Sequence, residues 1–381
     1  MQLIDDGKLG LDTRVVEVLP EFALADSAAA AVITVRQLLT HTSGIDGDIF
    51  TDTGDGDDCI EAYVRQLRTA VSVTEPGGPL SYCNTGFVVA GRLIEVLRGQ
   101  PWDDAVVDCL LRPLGITQVI TRAKDTPLFR TAVGHLTTDA AGSEVTPTKI
   151  WMLPRSLGPA GLITGSADSL LRFAAAHLRD GLSLTGARVI SAEAARQMRR
   201  VQVDLTSLST TEPAWGLGWH HQTWGAETAV AHGGVTIGQI AGLQLFPDRG
   251  LAIVVLTNSV GGHAFTRDVR ALLAAELGLT APAPRIAADA DRLDLSELAG
   301  VYESTMLRWQ LKRETDDRLV LTSTNKDPSF GESDPEPTAI VPAGPGRFLV
   351  AQDGQEVEVA QMNHAGKSYL YFGRLLEQIG A

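Results

Sequence analysis

A proline- and alanine-rich segment divides the chain into two parts with different sequence patterns. Residues 279–292 include Thr280-Ala-Pro-Ala-Pro and show neither helical nor strand periodicity, which is typical of a linker. Before this segment, residues 1–278 mix helical and strand-like patterns without an internal repeat. After it, residues 293–381 contain only short alternating runs between turn residues. The sequence therefore predicts two domains, the number that 381 residues also favour.

The first part predicts a mixed α/β domain of the α+β type. Its strand-like runs gather late, at Trp215–His220, Thr228–His232, Ile237–Phe246 and Leu251–Thr257. The predicted helices are residues 57–70, 84–99 and 263–277, and two more that begin after the N-cap residues Ser166 and Ser191. Because no strand–helix–strand unit repeats, the sheet is predicted to be antiparallel and flanked by helices.

The second part predicts a small all-β domain, either a barrel or a sandwich. Short alternating runs begin near Gly300, Trp309, Arg318, Arg347 and Tyr369, and Gly, Pro, Asp and Asn turns separate them. This spacing is typical of hairpin-connected strands and leaves almost no room for helix.

Charge and cysteine content exclude several classes of function. The net charge of −14 argues against a nucleic-acid-binding surface, which needs clustered Lys and Arg. Three cysteines without C-x-x-C spacing form neither a disulfide framework nor a zinc site. No apolar run reaches the roughly 20 residues that span a bilayer, so no membrane partner is expected.

The first nine residues resemble the end of a helix, with Gly7 as the terminating glycine. They lack the basic and apolar segments of a signal peptide, so a cytoplasmic location is expected. One interpretation is that an upstream segment is missing; the other is that a short, complete helix begins the chain.

Three short motifs carry side chains suited to catalysis. In Tyr82-Cys83-Asn84, a phenol can transfer a proton and a carboxamide can bind a substrate amide. In His232-Gly233-Gly234, a histidine stands beside a strand backbone without side chains, where a ligand can pair with the strand. Leu-Leu-Thr-His-Thr-Ser-Gly spans residues 38–44. Taken singly, each motif is more often structural than catalytic.

The order of the motifs is more informative than any one of them. Gly-Lys-Leu-x-Leu-Asp near residue 10, the motif at 38–44, Tyr-x-Asn, Gly161–Asp168, Trp-Gly-Leu-Gly-Trp at 215–219 and His-Gly-Gly follow one another. This succession resembles the serine β-lactamase and penicillin-binding-protein superfamily, in its class C β-lactamase and DD-peptidase branch. The resemblance covers residues 1 to about 278, and it implies an antiparallel sheet flanked by helices plus an all-helical region.

The resemblance implies an acyl-serine mechanism without a cofactor or metal. Tyr82 matches the family's base and acid, and Asn84 matches the residue that binds the acyl-side amide. His232, Gly233 and Gly234 match the third motif, after which the Val235 N–H would be an oxyanion donor. Histidine replaces the usual lysine here, which favours peptidase, esterase or acyl-transfer activity over β-lactamase activity. The implied substrates are D-amino-acid-containing peptides, esters or thioesters.

The first family motif, a Ser-x-x-Lys at the start of a helix, has no convincing match. Ser323–Lys326 lies in the predicted β domain, whereas Thr121–Lys124 and Thr146–Lys149 have threonine and lie between the second and third motifs. Ser43 lacks the Gly-x-Ser-x-Gly elbow. The resemblance therefore predicts that residues 1–381 lack the nucleophile and are inactive alone. The alternative is a non-catalytic homologue that binds a ligand.

The second domain resembles the lipocalin-like β domain that some members carry, including penicillin-binding-protein-type thioesterases that release and cyclise peptides. Arg374, predicted on the last strand, would then hold a substrate carboxylate; otherwise it is a solvent-exposed arginine. The implied partner is a small-molecule or peptide acyl substrate, free or bound to a carrier protein. The sequence leaves the oligomeric state open.

Overall fold

A computed structural model of the chain describes residues 1–137, 144–259, 261–290, 293–315, 318–326, 336–352 and 355–380. Within these residues the chain forms a mixed helix and sheet region followed by a closed β-barrel. The last two residues of the predicted linker, and the C-terminal Ala381, lie outside the described residues. No helix among the described residues is long and apolar enough to cross a membrane.

The helices of the first region are short, apart from three. They are α1 (Gln2–Asp5), α2 (Ser27–Ala30), α3 (Val35–Leu39), α4 (Cys59–Gln66), α5 (Asn84–Arg98), α6 (Trp102–Val106), α7 (Gly158–Gly161), α8 (Ala167–Leu178), α9 (Ala192–Arg199) and α10 (Gly262–Leu277). The helices predicted from the sequence are all present. Ser166 and Ser191 cap α8 and α9 as predicted, because each hydroxyl accepts a backbone N–H three residues later.

Helix α5 is central to the site because it begins directly after Tyr82. Its N-cap residue is Cys83, whose Sγ accepts the N–H of Gly86 at 3.2 Å. The helix ends at Gly99, whose φ of +69° is the left-handed conformation that glycine adopts at helix ends. Its buried face, which includes Val88, Val89 and Leu93, packs in the largest hydrophobic cluster.

The sheet of the first region has six antiparallel strands in sequence order. They are β5 (Val203–Asp204), β6 (Ala214–Trp215), β7 (His220–Trp224), β8 (Glu227–Thr236), β9 (Gln239–Phe246) and β10 (Leu251–Thr257). Two small two-stranded sheets accompany it, β1 (Val119–Ile120) with β4 (Thr164–Gly165) and β2 (His135–Thr137) with β3 (Val145–Pro147). The antiparallel sheet flanked by helices is thus confirmed.

One predicted strand is wrong. Residues 215–220 form a turn between β6 and β7 rather than a continuous strand, with Trp215 pairing with His220 across it. Gly218 has a φ of +74°, and a Cβ at Gly216 would lie 2.5 Å from the carbonyl oxygen of Met198. The two glycines permit this tight turn, which brings Trp215 and His220 side by side.

The second region is a closed antiparallel barrel of eight strands, which decides between the two predicted architectures. Its strands are β11 (Gly300–Glu303), β12 (Leu307–Thr315), β13 (Arg318–Asn325), β14 (Thr338–Gly344), β15 (Arg347–Gln352), β16 (Gln355–His364), β17 (Lys367–Tyr371) and β18 (Leu375–Gly380). Closure pairs β18 with β11 and leaves no unpaired edge. Its interior contains Tyr302, Trp309 and Phe348, all fully buried.

The barrel packs against the first region around the turn that joins β17 to β18. A hydrophobic cluster combines Leu80, Leu205 and Trp215 with Tyr371 and Leu375 of the barrel. Polar contacts surround this cluster. Asp46 accepts the backbone N–H of Thr305 at 2.7 Å, and Glu358 accepts the backbone N–H of Thr210 at 2.8 Å. Nε2 of His364 lies 2.7 Å from Oε1 of Glu75. The barrel is therefore part of the wall around Tyr82.

Candidate active site

Tyr82 lies where the first region meets the barrel, and its backbone N–H and those of its two neighbours are all hydrogen-bonded. The Ser81 N–H donates to the carbonyl of His41 at 3.0 Å, and the Tyr82 N–H donates to the carbonyl of Gly373 at 2.8 Å. The Cys83 N–H donates to Nδ1 of His41 at 2.9 Å. One residue of the barrel and one residue of the first region thus hold this segment.

Aromatic rings surround the Tyr82 side chain. Its ring centroid lies 4.2 Å from that of His41, 5.9 Å from Trp215 and 6.2 Å from His232. Burial raises the pKa of Tyr82, and the positive charge of Arg374 opposes that rise. The guanidinium carbon of Arg374 stands 4.9 Å from the centre of the Tyr82 ring, within the range of a cation–π contact.

Asp48 joins Asn84 to Arg374. Its Oδ1 accepts Nδ2 of Asn84 at 2.8 Å, while Arg374 donates Nε to Oδ2 at 2.5 Å and Nη2 to Oδ1 at 3.1 Å. Because an ionised carboxylate only accepts hydrogen bonds, the Asn84 amide nitrogen, and not its oxygen, faces Asp48. Arg374 lies in the turn between β17 and β18, not on a strand as the sequence suggested.

His232 lies on β8, and its ring is the third of the aromatic neighbours of Tyr82. Its Nδ1 is 2.5 Å from the carbonyl oxygen of Gly233, so the Nδ1–H donates there and Nε2 carries the lone pair. Burial, with the nearby charge of His220, lowers the pKa of His232 to about 4. The imidazole is therefore neutral at pH 7. Gly233 and Gly234 leave the strand surface exposed beside it.

A histidine and a glutamate lie behind His232. The ring of His220 is 6.1 Å from that of His232 and 5.5 Å from that of Trp215. Nδ1 of His220 is 2.9 Å from Oε1 of Glu212. Although burial acts to raise it, the charge and hydrogen bonding of His220 hold the pKa of Glu212 below its ordinary value. The His220–Glu212 pair therefore lies next to His232.

The structure brings together four of the predicted site residues, namely Tyr82, Asn84, His232 and Arg374. Val235 is also on β8, and 63% of it is exposed. His41, Asp48, His220 and Glu212 were not predicted as site residues. His41 belongs to a motif that the sequence did single out, whereas Asp48, His220 and Glu212 belong to no motif and reach the site only through folding.

None of the rejected nucleophile matches stands beside Tyr82 at the start of a helix. Ser43 is fully buried, and its Oγ donates to Sγ of Cys83 at 3.9 Å. Ser323 is on β13 of the barrel, where its Oγ accepts Nε1 of Trp309 at 2.9 Å. Thr121 follows β1, and Thr146 is the middle residue of β3. Within the described residues, no cluster of His, Cys, Asp and Glu suited to a metal ion occurs.

Comparison with known proteins identifies relatives over most of the chain. Penicillin-binding protein 4 of Amycolatopsis lactamdurans is 41% identical over 309 residues, which is 80% of each chain. The unguisins hydrolase ungD' of Aspergillus campestris is 27% identical over 271 residues, 68% of this chain and 49% of that protein.

A solved structure shares both regions of the fold. The crystal structure of SurE with D-Leu superposes with a TM-score of 0.72 at 26% sequence identity, over 99% of this chain and 83% of that one. The sequence model of the family described as Beta-lactamase matches residues 1–278. The chain therefore belongs to the Beta-lactamase family, within the β-lactamase and penicillin-binding-protein-like superfamily of serine hydrolases.

Proposed function

We propose that the group formed by Tyr82, Asn84, His232 and Arg374, called the cleft from here on, performs acyl-serine chemistry on D-amino-acid-containing peptides, esters or thioesters, by hydrolysis or acyl transfer. The observation that carries this proposal is the convergence of Tyr82, Asn84 and His232. The ring centroids of Tyr82 and His232 are 6.2 Å apart. The likeness to SurE, solved with D-Leu, supports a substrate with a D-residue.

In this proposal Tyr82 exchanges a proton with the serine and the leaving group. A buried phenol is a poor base, because burial disfavours the phenolate. Arg374 is the positive charge nearest its ring among the contacts described, and it favours the phenolate. The barrel thus contributes to the electrostatics of the reaction.

Asn84 and Val235 bind the acyl group in this proposal. With its nitrogen donated to Asp48, the Asn84 carboxamide presents its oxygen to the N–H of a peptide-like acyl group. The Val235 N–H would donate to the carbonyl oxygen of the scissile bond, where negative charge develops. A backbone N–H placed there stabilises the transition state more than the bound substrate.

The neutral state of His232 supports peptidase, esterase or acyl-transfer activity over β-lactamase activity. A pKa of about 4 means that His232 offers no fixed positive charge to a β-lactam carboxylate at pH 7. Its Nε2 instead accepts a hydrogen bond from substrate. The remaining cation of the cleft is Arg374, which uses Nε and Nη2 for Asp48, so a substrate carboxylate would bind through its other nitrogen.

A second candidate is a protein that binds such a ligand without cleaving it. The lack of a Ser-x-x-Lys at a helix start within residues 1–381 favours it. The two candidates differ in whether a fluorophosphonate probe labels the protein.

The test is the hydrolysis of D-leucine and L-leucine p-nitrophenyl esters by residues 1–381 alone and by an extended chain, in which a segment carrying a Ser-x-x-Lys motif is joined upstream of residue 1. We expect no turnover above background from residues 1–381 alone, and turnover with a preference for the D-ester from the extended chain. An extended chain that neither turns over either ester nor reacts with fluorophosphonate would contradict the proposal and favour the binding protein. Turnover by residues 1–381 would overturn the assignment of the nucleophile.

A further inference from the structure

His41 belongs to a sequence motif that the proposed reaction does not use, and yet it makes three contacts with Tyr82 and the residues on either side of it. Its carbonyl accepts the N–H of Ser81, and its Nδ1 accepts the N–H of Cys83. Its ring stacks at 4.2 Å on the Tyr82 ring with a tilt of 31°. The residue before Tyr82, the residue after it and its own ring are therefore all held by one side chain and its backbone.

The backbone of His41 adopts an unfavourable conformation to make these contacts. Its φ is +56°, in the left-handed region that residues other than glycine rarely occupy. His41 is one of three non-glycine residues with positive φ among the described residues, and it alone of them is buried beside the cleft. This conformation lets the carbonyl and the ring of the same residue face the same three-residue segment.

The ring of His41 is held as a hydrogen-bond acceptor and not as an acid. Because Nδ1 accepts the Cys83 N–H, the proton of the neutral ring is on Nε2. Nε2 is buried and has no hydrogen-bond partner among the described residues. Burial also lowers the pKa of His41 well below its ordinary value, which keeps Nδ1 unprotonated. An unpaired buried donor is unfavourable. His41 therefore has two unfavourable features, the positive φ and the unpaired Nε2–H.

We propose that His41 is a positioning residue that fixes the Tyr82 phenol in the cleft through the Ser81 and Cys83 N–H groups and the face of its ring. Its importance for turnover rests on the proposed role of Tyr82 as the base. The placement of Tyr82 itself can be tested without substrate, so failure of this inference and failure of the proposed function are distinguishable.

The variants separate the hydrogen bond from the ring. His41→Asn retains an acceptor near the position of Nδ1 and tolerates positive φ, whereas His41→Phe retains a ring and loses the acceptor. His41→Ala loses both. His177→Ala is the matched control, because His177 is also a buried histidine with a lowered pKa. His177 lies on helix α8 and packs against Phe173 of the same helix and Trp219 of the turn before β7.

The measurement is the NMR spectrum of protein labelled with [¹³Cζ]tyrosine, in which Tyr82→Phe assigns one of five tyrosine signals. We expect His41→Ala to shift and broaden the Tyr82 signal alone, His41→Asn to restore it, His41→Phe to restore it in part, and His177→Ala to leave it unchanged. In the extended chain that carries the Ser-x-x-Lys segment, His41→Ala should lower kcat at least tenfold with KM nearly unchanged, and His41→Asn should recover most of that loss.

Three results would overturn the proposal. One is an unchanged Tyr82 signal in a folded His41→Ala protein. Another is a shift spread over all five tyrosines, which would make His41 a general structural residue. The third is an Asn variant that recovers the melting temperature without recovering the Tyr82 signal. If His41→Ala does not fold, the Tyr82 signals of His41→Asn and His41→Phe are compared instead. A native signal in the Asn variant and a shifted one in the Phe variant would support the proposal, and identical signals in the two would overturn it.

Discussion

The two sides of the cleft are held in different ways. On the Tyr82 side, buried or half-buried groups from three chain segments converge: His41, Asp48 and the barrel turn at Gly373 and Arg374. On the His232 side, β8 presents two exposed glycines and an exposed Val235. The difference indicates that the fold holds Tyr82 in place, whereas the part of β8 beside His232 is open to solvent. If the proposed function is correct, the base is positioned before substrate arrives and the strand that would pair with substrate is accessible.

The contrast also separates the contributions of the two domains. The barrel contacts the Tyr82 side directly, through the Gly373 carbonyl and the Arg374 guanidinium. The His232 side is built within the six-stranded sheet, with His220 and Glu212 behind it. Changes to the barrel turn should therefore affect Tyr82 first.

Tyr82→Phe tests the fixed side and should have the largest effect. Loss of a general acid–base group lowers turnover by about 10²–10⁴-fold, and the remaining ring should still pack against His41. The measurement is kcat/KM for the D-leucine ester in the extended chain that carries the Ser-x-x-Lys segment, beside the melting temperature. Tyr302→Phe is the control, because Tyr302 is a buried tyrosine inside the barrel. Equal loss in the two variants would contradict a chemical role for Tyr82.

His232→Ala tests the open side. We expect turnover to fall about tenfold to a hundredfold because substrate loses the Nε2 acceptor. The melting temperature should stay nearly unchanged, since β8 is partly exposed here and the glycines beside His232 pack against little. Activity assays and calorimetry on the same preparation check this. Full activity with a lowered melting temperature would mean that His232 is structural.

Asp48→Asn tests the link between the barrel and the Asn84 amide. It leaves the half-buried Arg374 with a weaker partner, which should reduce the free energy of unfolding by about 1 kcal/mol, because solvent screens part of this interaction. A double-mutant cycle with Arg374→Gln isolates the interaction of the pair. Asp52→Asn, at an exposed site in the same loop, is the control. Additive effects of Asp48→Asn and Arg374→Gln would show that the pair does not couple the two regions.

His220→Gln should have the smallest effect and sharpens the account of the open side. The charge of His220 is the second cause, after burial, of the lowered pKa of His232, so its removal should raise that pKa from about 4 by less than about one unit. The His232 ring proton, followed by NMR between pH 3 and 8, reports the change, with His177, itself near 4, as an internal control. No change, or a fall, would contradict the assigned cause.

The lowered pKa of His232 also makes the stability of the fold depend on pH. The unfolded chain binds the proton near pH 6.5 and the folded chain only near pH 4. The free energy of unfolding therefore does not depend on this residue's titration above pH 6.5. It decreases as the pH falls from 6.5 towards 4, by about 1.4 kcal/mol per unit at most.

The sequence predicted the parts of the site that belong to short motifs. Tyr82, Asn84 and His232 were placed by the order of their motifs, and the helix after Tyr82 by apolar spacing and Gly99. Asp48 was not predictable, because a loop aspartate gains its meaning only when Asn84 and Arg374 are folded against it.

Errors in the sheet and the barrel have similar physical causes. The run at 215–220 resembles a strand by composition, but Gly216 and Gly218 allow a turn that alternation does not reveal. Strand β16 has mostly polar residues and was missed, because its pairing with β15 and β17 compensates for its weak apolar pattern.

Binding of the D-residue of an acyl substrate in this cleft can be tested directly by an NMR titration of residues 1–381 with D-leucine and L-leucine. We expect D-leucine to shift the signals of the Asn84 side-chain amide, the Tyr82 ring and the His232 ring, and L-leucine to shift them far less. Equal shifts with both enantiomers, or shifts confined to residues away from these three, would contradict it.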